Sequence, residues 1–203
     1  MTKTPTRLIV ALAIGMFACG LRGVPTSAHD GVDHDVEKKI AEALAGLSSE
    51  DQKLVIAQRF CPVMTHSRLG GMGTPVKVMI EGEPVFLCCK GCVKNAIKGG
   101  KETLKTARKL KDVSATLSKL SSKERAAVEL QKYCAVANTS FLGSMGAPIK
   151  LELDGKPVYL CCEGCEGKAR ANPQATLAKV EQLKKAVQHG DHAHADKSGE
   201  RKN

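Results

Sequence analysis

The chain has 203 residues, with 31 Lys and Arg against 21 Asp and Glu, a formal charge of +10, only 3% aromatics and no Trp. Rings supply much of a core's buried area, so small cores held by a disulfide or a metal are expected rather than one large core, and nine Cys fit that need. Negative mean hydropathy and a single prominent apolar run exclude a multi-span membrane protein, and the composition excludes collagen and a coiled-coil rod.

That run lies at the start, where Lys3 and Arg7 precede Leu8 to Ala18. Positive charge followed by a short apolar stretch reads as an export signal, too short for a comfortable membrane span. Thr26-Ser27-Ala28 is a small-residue cleavage site, which makes residues 1–28 a signal peptide and His29 the mature start. A lipoprotein site at Cys19 and a retained anchor are the alternatives. Cleavage removes Lys3, Arg7 and Arg22 and no acid, leaving a basic chain with eight Cys. A periplasmic or secreted location permits disulfides, and no nucleic-acid partner is expected there. Residues 29–39 form a His/Asp-rich segment containing His29 and His34, and residues 188–203 a His-rich tail containing His189, His192 and His194. Such tails hold divalent metals loosely or serve as disordered, solubilising ends.

Between them the sequence repeats itself. Cys61, Cys88, Cys89 and Cys92 recur as Cys134, Cys161, Cys162 and Cys165 at a constant offset of 73 residues. Leu69-Gly70-x-Met72-Gly73-x-Pro75-x-Lys77 recurs in the same register, as do Ile40, Leu44 and Leu47 upstream and Thr103 and Leu104 downstream. The repeats are placed at 40–112 and 113–187. In each, Ile40, Leu44 and Leu47 or their counterparts have helical spacing. Ser48-x-x-Asp51 and Ser121-x-x-Glu124 start a second helix expected to end near Cys61 or Cys134. Val76, Val78 and Ile80 alternate with polar or exposed positions as a half-buried strand does. Glu81-Gly82 and Asp154-Gly155 are hairpin turns leading into Val85 to Cys88 and Val158 to Cys161. A short helix follows each Cys cluster, and Asn172-Pro173 opens a last helix through Leu177, Val180 and Leu183. The Lys-rich stretch 98–112 reads as a solvated helix face joining the repeats.

The fold class expected is α+β: two tandem small domains, each a β-hairpin with flanking helices. Cys61 at a helix end, Cys88 at a strand end and Cys92 in the first turn of the next helix can turn their thiols to one point. The metal candidates are Cys61, Cys88, Cys89, Cys92, Cys134, Cys161, Cys162 and Cys165. Thiolates in a tetrahedron suit Zn(II), and soft thiolates also suit Cu(I). Met72 and Met145 are read as fillers of a gap beneath the glycine loop, with Cu(I) thioether donation as the alternative. Met64 and His66 have no counterpart in the second repeat, and His66 is read as a solvated loop side chain.

Cys61-Pro62-Val63, Leu69-Gly70-x-Met72-Gly73 and Val85-Phe86-Leu87-Cys88-Cys89-Lys90-Gly91-Cys92 resemble the YHS/TRASH group of small heavy-metal-binding domains. The resemblance implies a treble-clef or zinc-ribbon-like Cys site, with the group's three Cys falling on Cys61, Cys88 and Cys92 and on Cys134, Cys161 and Cys165. Cys89 and Cys162, where the group commonly has a small polar residue, are a fourth ligand or a redox partner. Ala135 and Ala137 depart from Pro62 and Met64 of the first repeat.

The expectation is an exported, non-enzymatic protein that sequesters or delivers Zn, Cu or Cd. Its partners would be the metal ion and a metal-transport or membrane protein, and it would not be integral to the membrane after cleavage. One alternative is an interaction module stapled by disulfides or structural zinc. Another is a thiol–disulfide oxidoreductase using Cys89-x-x-Cys92 and Cys162-x-x-Cys165, although the repeats lack the βαβ context of thioredoxin-like enzymes.

Overall fold

The computed structural model describes residues 34–190. In chain order these form α1 (His34–Ala45), α2 (Ser49–Gln58), β1 (Val76–Ile80), β2 (Glu83–Leu87) and α3 (Val93–Leu117), then α4 (Ser122–Gln131), β3 (Ile149–Leu153), β4 (Lys156–Leu160), α5 (Glu166–Ala171) and α6 (Pro173–Gly190). A single 3-10 turn precedes α3 at Lys90–Cys92 and α5 at Glu163–Cys165. Among the described residues the fold is α+β, with six helices and two separate two-stranded antiparallel sheets. The signal peptide, and the metal-holding role read for the histidine side chains of the two ends, lie outside the described residues.

The helix starts follow their caps. Ser48 Oγ accepts the Asp51 N–H at 3.2 Å and Ser121 Oγ accepts that of Glu124 at 3.3 Å, and the acids in each first turn complement the helix dipole. The helix ends differ from expectation. α2 and α4 stop at Gln58 and Gln131, three residues short of the cysteines, because Arg59 and Lys132 turn into positive φ (63° and 62°). The reversal is held on both sides: the Arg59 N–H reaches back to the Val55 carbonyl at 2.7 Å, and the Arg59 carbonyl accepts the Leu69 N–H at 3.0 Å. Cys61 therefore sits in a tight loop, whose ends are clipped together by Cys61 N–H to Ser67 O at 3.0 Å. Cys134 is held by the equivalent bond to Ser140 O at 3.0 Å.

Both hairpins form as the alternation predicts, with Val76 opposite Leu87 and Ile80 opposite Glu83, and with Ile149 opposite Leu160 and Leu153 opposite Lys156. Both central residues of each two-residue turn have positive φ, the primed geometry whose twist matches paired strands. A lone two-stranded ribbon is marginal in water. Here the second strand of each is buried on both faces at its end, with Val85, Phe86 and Leu87 at 0% exposure and Val158, Tyr159 and Leu160 buried likewise.

The connector is a single long helix with one break. α3 passes through Gly100, whose φ of 43° and ψ of −116° kink it at the place where Asn172-Pro173 separates α5 from α6 in the second repeat. Past the kink, Leu104 and Ala107 enter the core of the first repeat, while Leu110, Val113 and Leu117 enter that of the second. Lys98, Lys101, Lys105 and Lys109 lie exposed. The repeats also touch directly. Phe60 joins the second core, Arg59 forms a two-point ion pair with Glu129, and the hydroxyls of Thr65 and Tyr133 lie 2.8 Å apart.

Candidate metal centre

In each repeat three chain segments deliver one thiol each. Cys61 comes from the clipped loop after α2. Cys88 directly follows β2. Cys92 closes the 3-10 turn ahead of α3, where its N–H bonds the Cys89 carbonyl at 3.2 Å. The three Sγ atoms lie within 4.8 Å of one another, and Cys134, Cys161 and Cys165 form the same cluster. The thiols are buried, with Cys61 and Cys134 at 0% exposure.

The spacing has chemical content. Sγ of Cys88 lies 3.7 Å from that of Cys92, and Cys161 lies 3.7 Å from Cys165. Four sulfurs about 2.3 Å from a central Zn(II) in a tetrahedron stand about 3.8 Å apart, so one edge of each cluster already has that length, while Cys61 and Cys134 stand within 4.8 Å of their partners. Cys89 and Cys162 are half-buried at the rim. Cys89 Sγ is 3.9 Å from Cys92 Sγ, whereas Cys162 Sγ is 3.9 Å from both Cys161 and Cys165. The structure thus gathers three of the four candidates of each repeat into a tight cluster and sets the fourth against its edge. All eight are free thiols.

The loop also sets the charge state. Cys61 is pulled down to about 6, chiefly by the Cys88 thiol donating to it, with further help from backbone N–H groups of Cys88, Met64 and Val63. The Met64 N–H lies 3.5 Å from Cys61 Sγ. Cys88 is correspondingly pushed up by its bond to Cys61, by burial and by the neighbouring thiolates. Cys92 is pushed up to about 12, mainly by burial and then by the Cys61 charge. In the second cluster burial raises Cys134, but the N–H groups of Ala137, Cys161 and Val136 outweigh it and hold the thiol below its usual value. Burial leads the upward shifts of Cys161 and Cys165, the latter to about 11. In the first cluster, one ready thiolate beside two held protons suits a cation, whose charge would displace the remaining protons.

Several side chains stand elsewhere than expected. Met72 and Met145 do not fill a gap beneath the glycine loops; they are 39% and 62% exposed. Met64 instead faces the first cluster, its Sδ 4.0 Å from Cys88 Sγ. His66 is half-buried rather than solvated, because Tyr133 of the second repeat packs edge-on against its ring at 5.8 Å.

One pair of functional positions escaped the reading of motifs. Gln58 and Gln131, each at 0% exposure, tie the cysteine loop to the cysteine strand. The Gln58 side-chain amide donates to the carbonyls of Phe60 (3.0 Å) and Phe86 (2.6 Å) and accepts the Phe86 N–H at 3.0 Å. Gln131 does the same for Tyr133 and Tyr159, at 2.9, 2.6 and 2.9 Å. The 73-residue offset relates the two glutamines, and that was the available signal.

Comparison with family models, with curated proteins and with solved structures finds no match. Among the described residues no helix is long and apolar enough to cross a membrane. The two cysteine clusters could each hold a metal ion, and this geometry carries the functional reading.

Proposed function

We propose that the chain is an exported heavy-metal-binding protein that sequesters or delivers a soft or borderline ion, Zn(II), Cu(I) or Cd(II), and catalyses no reaction. The observation that carries this reading is the duplicated, buried thiol triad, one edge of which stands at the tetrahedral spacing in each copy. The ligands are Cys61, Cys88 and Cys92 in one pocket and Cys134, Cys161 and Cys165 in the other, with Cys89 and Cys162 in reach as rim donors. A clipped loop, a hairpin and a helix start converging on one site support a treble-clef-like assignment and the resemblance to YHS/TRASH domains, with repeats at 40–112 and 113–187. The basic, apolar and small-residue order of the first 28 residues supports export to the periplasm or beyond.

A second reading is a structural metal. The burial of all six triad thiols inside the two hydrophobic cores favours it, since an ion held there contributes to folding. Anaerobic purification followed by elemental analysis and thiol counting tests metal binding itself. Near-stoichiometric metal per pocket, with thiols recovered on chelation, is the expected result, and absent metal with oxidised thiols overturns it. Thermal melts with and without chelator then separate the two roles: an exchangeable cargo leaves the fold standing, whereas a structural ion takes the transition with it.

A further inference from the structure

The two pockets share a backbone and differ in one sulfur. In the first, Met64 is fixed through both of its backbone polar groups: its N–H lies 3.5 Å from Cys61 Sγ, and its carbonyl accepts the Ser67 N–H at 2.8 Å. In the second, the Ala137 N–H lies 3.4 Å from Cys134 Sγ and its carbonyl accepts the Ser140 N–H at 2.8 Å. On this matched scaffold the first repeat carries a thioether and the second a methyl group. The thioether turns inward, with Met64 Sδ 4.0 Å from Cys88 Sγ, close to the tetrahedral edge length and packed against the first core. The fourth cysteine stands at the edge of both clusters. Cys162 contacts two cluster sulfurs at 3.9 Å, and Cys89 contacts Cys92 at 3.9 Å. Each cluster of candidate ligands consists of cysteines alone, without imidazole or carboxylate.

We propose that Met64 is a thioether donor to the first pocket and makes it the Cu(I)-preferring site of the two, while the second pocket holds its ion by thiolates alone. The inference rests on the metal-binding reading above. Its chemistry follows from ligand softness: a neutral thioether adds affinity for monovalent, soft Cu(I), whereas Zn(II) draws its protein ligands from thiolate, imidazole and carboxylate. Met72, Met79 and Met145 are exposed and do not compete for the role.

The test uses the full chain, prepared anaerobically with selenomethionine in place of methionine and loaded with one equivalent of Cu(I). X-ray absorption at the copper edge should show selenium in the first shell, and Met64→Leu should remove it. In unlabelled protein, competition with a chromophoric Cu(I) chelator should show Met64→Leu weakening the tighter Cu(I) site by about tenfold, with Zn(II) affinities changed by less than about twofold. Copper bound without selenium in its shell, or selenium retained in the Met64→Leu protein, overturns the inference and leaves the metal-binding reading intact. A chain that takes up none of Cu(I), Zn(II) or Cd(II) overturns both.

Discussion

Gln58 offers the most direct check on how the pocket is built. β2 has one neighbour, β1, and its other edge would be left with unpaired backbone groups. Gln58 takes the place of a third strand there, its amide satisfying the N–H and C=O of Phe86 and also the carbonyl of Phe60. Phe60 directly precedes Cys61, and Phe86 lies two residues before Cys88. The same side chain therefore braces the loop and the strand that bring two of the three thiols together. Gln58→Leu keeps the volume close and removes every polar contact, orphaning one buried donor and two acceptors. An orphaned buried group costs about 1–3 kcal/mol, and the carbonyls regain part of that from water, so the net loss expected is about 2–4 kcal/mol. Gln131→Leu should cost the same, since it breaks three bonds of matching length. Urea denaturation of the metal-free chain, followed by circular dichroism, measures the loss. Metal titration should then show Gln58→Leu weakening the first pocket and sparing the second. A loss below about 1 kcal/mol in both variants would refute the bracing role, because a buried amide with three partners cannot be removed that cheaply.

Cys92→Ser and Cys165→Ser, made singly, should each lower bound metal by about one equivalent, as counted by elemental analysis, because each removes one corner of a three-thiol cluster. Glu129→Gln should destabilise by about 1–3 kcal/mol at neutral pH, since Arg59 and Arg125 both rest on that largely buried carboxylate, at 2.6 and 2.9 Å. Burial alone would raise the Glu129 carboxyl, but hydrogen bonds and charge from Arg59 and Arg125 outweigh it and hold the group below its ordinary value. Its contribution is thus complete above the unfolded value, near about 4.3, and is lost as pH falls through the lower folded value. The stability gap between wild type and Glu129→Gln, measured on metal-free protein by denaturant midpoints, should close on acidification and persist at neutral pH. Gly143→Ala should cost about 1–3 kcal/mol in the same assay, because at φ 91° its new Cβ would lie 3.0 Å from Leu117 Cδ2.

The extent to which this molecule was legible depended on what the repeat exposed. Local signals with their own physics came through directly. Ser48 and Ser121 cap helices, Glu81-Gly82 and Asp154-Gly155 turn hairpins, and alternating apolar residues fix which strand face is buried. The cysteine sets were legible as well, since the repeat marked them and their spacing put two thiols of each at a strand end and a helix start, although Cys61 and Cys134 lie in loops beyond their helices. What remained hidden was set by contacts distant in sequence. The early end of α2 depends on Arg59 adopting positive φ, which no propensity favours; the fold sustains it through the bond to Leu69 and the pair with Glu129, 70 residues away. Gln58 looks like an ordinary helix-terminal glutamine until its 28-residue reach to Phe86 is known. Phe60 lies within the first repeat but completes the core of the second. The methionines show the same limit in the opposite sense. Repetition drew attention to Met72 and Met145, which are exposed, and away from Met64, whose lack of a counterpart is what distinguishes the two pockets. In a duplicated chain the shared positions report the scaffold that gathers the thiols. The positions where the copies differ, Met64 against Ala137 above all, are where the two sites can acquire separate chemistry.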